Sequence, residues 1–198
     1  MNETPDEELI ARYREGDPQA FRTLVRRHQR SLYNFVLRQV HSPSTAEDIV
    51  QDVFVRIVHN VETFKAESKF TTWAYTIARN LCIDHLRKRV HRRHPSLDAP
   101  TSEGGGTLMD QVAAKGQGAD RTAINKQLQE HLRTAVEALP EDQREVFLLR
   151  QVSELPFKEI ADIVGVGENT VKSRMRYALE RLQAALVEFE DYAKGMAR

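Results

Sequence analysis

Apolar side chains recur at intervals of three and four residues along most of this chain, a spacing typical of α-helices. After Gly16 one such stripe comprises Phe21, Leu24, Val25, His28, Leu32, Phe35 and Val36. After Ser44 a second comprises Ala46, Ile49, Val50, Val53 and Ile57. No long segment alternates apolar and polar residues as a half-buried strand does. The pattern therefore predicts an all-α fold.

Helix-start signals precede these stripes. Thr4 with Glu7 and Ser44 with Glu47 have the spacing of capping boxes, and Asp17 stands where an N-cap is expected. A fourth helix is predicted from about residue 70 to residue 91. Four amphipathic helices contain enough apolar surface for one bundle.

The periodicity stops between two helical regions. Residues 94–119 contain five glycines and two prolines with few large apolar side chains. We interpret them as a flexible linker between a helical domain over residues 1–93 and an all-helical second domain over residues 120–198. The alternative is a surface loop inside one domain.

The second domain contains a short helix, a glycine turn and a longer helix. The turn is expected at Gly165, and the second helix is expected after Gly167. Winding that helix at 100° per residue places Val171, Met175, Ala178, Leu179 and Leu182 inward. Asn169, Ser173, Arg176 and Tyr177 then point outward, flanked by Lys172 and Arg174. Such groups read base edges and phosphates in the major groove, whereas the alternative is an ordinary solvated basic face.

The helix after Ser44 has a different outer face. Asp48, Gln51, Asp52 and Val55 lie opposite its apolar stripe. An acidic face with an exposed valine suits a basic protein partner better than DNA. The alternative is a solvated helix face.

The fourth helix and the loop before it combine hydrogen-bonding, basic and aromatic residues. Thr76, Asn80, Ile83 and Arg87 share one stripe, and the loop contains Phe64, Lys65, Ser68, Lys69 and Phe70. Stacking platforms and basic tracks of this kind hold unpaired bases. The region is therefore a candidate site for single-stranded DNA, with a core role as the alternative for Phe64, Phe70 and Trp73.

The amino-acid composition limits the classes of function that this chain can have. Lys plus Arg and Asp plus Glu both number 29, so local charge decides the partners. We expect no membrane insertion, because no apolar run approaches the roughly 20 residues of a membrane span, and the acidic first residues favour a cytoplasmic location. Cys82 is expected to be buried. His85, His91 and His94 form no recognised ligand motif and no phosphate loop occurs, so we predict neither a metal, a cofactor nor an enzyme.

Three blocks together resemble a bacterial sigma factor of the extracytoplasmic-function group. They are STAEDIVQDVFVRIV, FKAESKFTTWAYTIARNLCIDHLRKR and LPEDQREVFLLRQVSELPFKEIADIVGVGENTVKSRMRYALERL. The resemblance implies a promoter-specificity subunit whose acidic helix docks on the clamp of core RNA polymerase. It also implies that the second domain lies near the polymerase flap, and that an anti-sigma protein is a partner.

The resemblance assigns residues to two promoter elements. The loop and fourth helix, including Thr72 and Asn80, would open the element nearer the start site (−10) and hold its non-template strand. The second domain, including Thr170, would contact the upstream element (−35). Family members often have Ser or Pro where this chain has Gly167. The competing interpretation is an autonomous helix-turn-helix regulator that binds duplex DNA without polymerase.

Overall fold

The computed structural model describes residues 4–65, 68–92 and 119–196. Backbone contacts divide the chain into two compact units, 1–101 with 148–168 and 102–147 with 169–198. Residues 94–118 of the predicted linker lie outside the described residues. The predicted domain boundaries stay predictions.

The N-terminal part of the first unit consists of four helices and one short 3-10 turn. They are α1 (Asp6–Arg14), α2 (Pro18–Val40), α3 (Pro43–His59), the 3-10 turn (Val61–Thr63) and α4 (Phe70–Arg92). These four helices agree with the sequence periodicity. Within the described residues every regular element is helical, which confirms the all-α prediction.

Helix starts agree with the predictions only in part. Asp17 caps α2 as predicted, accepting a hydrogen bond from the backbone N–H of Gln19 at 2.9 Å. Both predicted capping boxes are wrong: Pro5 occupies the N-cap of α1, and Ser42 caps α3 through the N–H of Thr45. Proline is favoured in the first helical turn, so Pro43 allows α3 to begin before Ser44.

The core of this part is made by apolar faces of all four helices. Helix α2 packs against α1, α3 and α4, and α3 also packs against α4. The rings of Phe35 and Tyr75 meet edge to face at 5.5 Å between centroids. Burial raises the pKa of the Tyr75 hydroxyl. Cys82 is buried, as predicted.

Residues 148–168 complete the first unit. Helix α7 (Phe157–Val164) packs on α4. Arg150 donates a hydrogen bond to the carbonyl oxygen of Leu155 at 2.9 Å, which fixes the loop before α7. The carboxylate of Glu159 accepts hydrogen bonds from the hydroxyls of Thr71 and Thr72 at 2.7 and 3.3 Å.

The second unit contains α5 (Ala119–Glu137), the first part of α6 (Glu141–Gln151) and most of α8 (Glu168–Met196). His131 of α5 donates a hydrogen bond to the carbonyl oxygen of Ala185 at 2.9 Å. Arg174 of α8 forms an ion pair with Asp142 of α6, with 3.0 Å between Nε and Oδ2. None of the helices within the described ranges is long and apolar enough to cross a membrane.

Candidate protein-binding and nucleic-acid-binding surfaces

Helix α3 has two chemically distinct faces. Its apolar residues Ala46, Ile49, Val50, Val53 and Ile57 are all buried, as predicted. On the other face Asp48, Gln51 and Asp52 are exposed. Val55 is 51% exposed beside them. An exposed apolar side chain among carboxylates fits a protein partner that offers both a basic group and an apolar contact. We call Asp48, Gln51, Asp52 and Val55 the acidic face.

The aromatic residues of the candidate single-strand site are less accessible than a stacking platform requires. Phe64 is 7% exposed and Phe70 is fully buried, which confirms the core interpretation of both. Their rings lie 5.1 and 6.4 Å from the ring of Trp73, measured between centroids. The expectation that Phe64 offers its ring to a base is therefore wrong for this conformation, because Trp73 and the core cover it.

The polar groups of the same region are accessible. Lys65, Ser68 and Lys69 are exposed before α4, and Asn80 and Arg87 are exposed along it. Basic and amide groups at these positions can hold phosphates and base edges. We call the exposed residues Lys65, Ser68, Lys69, Asn80 and Arg87, together with the half-buried Thr72 and Thr76, the proximal strip.

Two members of the proximal strip already have hydrogen-bond partners. The hydroxyl of Thr76 donates to the carbonyl oxygen of Thr72 at 2.7 Å, one helical turn earlier. The hydroxyl of Thr72 donates to Glu159. The Thr72 hydroxyl can therefore donate to a phosphate only after Glu159 moves away, and the carboxylate also repels phosphate.

The predicted helix-turn-helix segment has the expected local structure. Helix α7 ends at Gly165, whose backbone is left-handed with φ +74°, and α8 begins at Glu168. That conformation favours glycine because a Cβ atom is strained there. Four of the five residues predicted to face inward on α8 are buried: Val171, Met175, Ala178 and Leu182. Leu179 is 47% exposed, so its predicted burial is wrong.

The outer face at the start of α8 is polar and basic. Six of the seven predicted contact residues are exposed: Asn169, Thr170, Lys172, Ser173, Arg176 and Tyr177. The guanidinium of Arg176 lies over the ring of Tyr177, 4.8 Å from its centroid, and its Nε is 3.8 Å from a carboxylate oxygen of Glu180. We call these six residues, with Arg174, the recognition face.

Comparison with known proteins identifies the family of this chain. Residues 24–92 match Sigma-70 region 2, and residues 129–182 match Sigma-70, region 4. The ECF RNA polymerase sigma factor SigW of Bacillus subtilis is 30% identical over 177 residues, which are 89% of this chain and 94% of that protein. The chain belongs to the extracytoplasmic-function sigma factors. The ECF RNA polymerase sigma-E factor of Escherichia coli K12 is 32% identical over 182 residues, 89% of this chain and 92% of that protein.

Solved structures agree with this sigma-factor membership. The sigma factor RpoE of Bartonella quintana, crystallised with the anti-sigma factor NepR, is 25% identical and superposes with a TM-score of 0.67. That match covers 84% of this chain and 96% of the other. The chain is thus an alternative sigma factor, as the sequence blocks predict, and the autonomous regulator is not favoured.

Among the residues that the structure describes, no cluster of three or more His, Cys, Asp or Glu side chains is arranged to hold a metal. His94 lies outside those residues. The expectation that the chain binds no metal or cofactor stays a prediction.

Sequence reasoning missed two carboxylates that contact the candidate single-strand site. Glu7 of α1 accepts a hydrogen bond from the backbone N–H of Phe70, 63 residues away in sequence. Glu159 contacts Thr71 across 88 residues. Helical periodicity contains no signal for either contact, because each joins elements that are distant in the chain.

Proposed function

We propose that the acidic face of α3 docks this sigma factor on the clamp of core RNA polymerase. The observation that carries the proposal is the division of α3 into a fully buried apolar face and an opposite face where Val55 is half exposed among Asp48, Asp52 and Gln51. An exposed valine such as Val55 does not by itself lower the stability of the free chain. It contributes binding energy when a partner covers it, and the carboxylates select a basic partner.

The proximal strip is proposed to hold the non-template strand of the −10 element once the duplex opens. Its exposed lysines and Arg87 supply a positive track for phosphates, while Asn80 supplies an amide that donates to and accepts from a base edge. Because Phe64 is buried, we leave it out of the proposed contact set. Trp73, in the first turn of α4, is partly buried.

The recognition face is proposed to read the −35 element in the major groove. Arg176 can form two parallel hydrogen bonds to a guanine, and Ser173 and Asn169 reach base edges or phosphates. The first N–H groups of α8 are further donors for a phosphate. Arg174 contributes less in this role, because its guanidinium is paired with Asp142. The second domain, residues 120–198, is also proposed to lie near the polymerase flap.

An anti-sigma factor is proposed as a further partner. The support is the Bartonella quintana sigma factor RpoE, which was crystallised with its anti-sigma factor NepR and aligns with 84% of this chain. We also propose that this chain acts in the bacterial cytoplasm, where polymerase is found. It contributes specificity and strand separation, and the chemistry of RNA synthesis belongs to polymerase.

The proposal is tested by promoter selection. Core polymerase with the wild-type chain is allowed to select DNA from a randomised pool, and unpaired thymines in the selected DNA are then mapped with permanganate. We expect two enriched elements separated by a fixed spacing and permanganate reactivity in the downstream one. Enrichment of the same sites by the chain without polymerase, with no reactive thymines, would support the autonomous regulator instead.

A further inference from the structure

Helix α1 contacts the chain at both ends of the loop that contains the first residues of the proximal strip. The loop comprises residues 64–69, of which Phe64, Lys65, Ser68 and Lys69 are described. At the near end Arg14 pairs with Glu62 of the 3-10 turn, with 3.2 Å between Nη2 and Oε2. At the far end Glu7 contacts the first residue of α4. The two contacts are seven residues apart on α1, or about 10 Å along its axis.

Glu7 makes two contacts at the start of α4. Its Oε1 accepts a hydrogen bond from the backbone N–H of Phe70 at 3.2 Å. The same oxygen lies 3.8 Å from the ammonium of Lys69. The first N–H groups of a helix lack partners within the helix, and a carboxylate there also interacts favourably with the helix dipole. Glu7 thus caps the first turn of α4 and places a negative charge beside the lysine before it.

Helix α1 is itself held firmly, so Glu7 acts from a fixed position. The neighbouring Asp6 forms an ion pair with Arg27 and a hydrogen bond with the ring of His28, both on α2. The guanidinium of Arg27 also donates to the carbonyl oxygen of Thr4 at 3.0 Å. The ring of His28 packs on that of Phe70, with 5.2 Å between centroids. Asp6 and Glu7 therefore join α1, α2 and the start of α4.

We propose that Glu7 is a positioning residue for promoter opening, acting through Phe70 and Lys69 and not by contact with DNA. The proposal rests on the proposed single-strand role of the proximal strip. Loss of the Glu7 contacts leaves the start of α4 and Lys69 less ordered before DNA arrives. The holoenzyme must then order them during strand capture, which slows opening without weakening the dock on polymerase.

The test compares Glu7→Ala, Glu7→Gln and the matched control Glu8→Ala in holoenzymes. Glu8 is an exposed carboxylate in the same helical turn. Three quantities are measured for each variant: the affinity for core polymerase, the melting temperature of the free chain, and the rate of opening of the DNA that the wild-type holoenzyme selects. Glutamine keeps an oxygen that accepts from the Phe70 N–H but loses the charge that faces Lys69.

We expect Glu7→Ala to slow opening roughly twofold to thirtyfold, the range of a lost helix cap, while polymerase affinity stays at the wild-type value. Glu7→Gln is expected to recover most of the rate, and Glu8→Ala to match wild type. A wild-type rate in Glu7→Ala would overturn the inference, as would equal losses of polymerase affinity and opening, which indicate general unfolding.

Failure of this inference can be told from failure of the proposed function. If the wild-type holoenzyme selects DNA but opens none of it, the single-strand role of the proximal strip is wrong and the inference fails with it. If the wild-type holoenzyme opens its DNA and Glu7→Ala opens it equally fast, only the role of Glu7 is wrong. A slow Glu7→Ala that glutamine does not rescue would also refute positioning through the Phe70 hydrogen bond.

Discussion

Replacement of Arg176 by alanine tests the recognition face in detail. In the free chain the Arg176 guanidinium lies over Tyr177 and 3.8 Å from Glu180, with both side chains of the ion pair more than 60% exposed. An exposed pair of this kind contributes only about 0.2 to 1 kcal/mol, and salt screens it further. A bidentate contact with guanine contributes about 1 to 3 kcal/mol of discrimination against the wrong base. The contact with DNA therefore outweighs the contact with Glu180.

The expected result of Arg176→Ala is a loss of discrimination at one base pair of the −35 element, by roughly 5-fold to 150-fold. The assay measures holoenzyme affinity for a panel of single base-pair substitutions in that element, at two salt concentrations. Lys172→Ala is the matched comparison, because it removes a neighbouring exposed cation. Uniform weakening of Arg176→Ala on every sequence, with a reduced salt slope, would refute base reading and assign Arg176 to a phosphate.

Three further results are expected. Gly165→Ala should destabilise the fold by roughly 1 kcal/mol through its left-handed backbone, while Gly167→Ala, which adds a methyl group in equally open space, should not; equal melting temperatures would contradict this. Although burial raises the pKa of Asp6, hydrogen bonds with His28 and Arg27 outweigh it and hold that pKa below 3.8. The stability that ionised Asp6 adds to the folded chain is therefore complete above pH 3.8 and is lost as pH falls through the pKa of Asp6 in the folded state. Asp6→Asn should therefore make the free energy of unfolding, measured in urea, depend less on acidic pH than Glu8→Gln does. Glu159→Ala should raise the affinity for single-stranded DNA, because it removes a carboxylate from Thr71 and Thr72. Binding is measured by the fluorescence of Trp73, the one tryptophan of the chain. Unchanged affinity would show that Glu159 does not hinder the proximal strip.

Local features of the fold were predictable from the sequence because they depend on neighbours within one helix. The apolar stripes of α2 and α3 follow a spacing of three and four residues, and α3 buries all five residues predicted for it. Gly165 marks the turn before α8 because its backbone conformation excludes most side chains. Leu179 was placed wrongly because it lies about 80° around the helix from Val171, at the edge of the stripe.

Features that join distant segments were not predictable in this way. Glu7 has the spacing of a capping box with Thr4, yet its side chain caps α4 instead. Arg174 belongs to the outer basic pattern of α8, yet the fold pairs it with Asp142 on α6. The sequence periodicity identifies which face a residue occupies, whereas the partner across that face depends on how helices pack.

The central claim is that the acidic face of α3 attaches this sigma factor to core RNA polymerase. Its most direct test is a titration of labelled wild-type chain, Asp52→Arg and the control Glu8→Arg against core polymerase, with the melting temperature of each chain measured alongside. We predict tight binding by wild type and Glu8→Arg, and binding about tenfold or more weaker for a fully folded Asp52→Arg. Equal affinity of all three folded proteins would contradict the account.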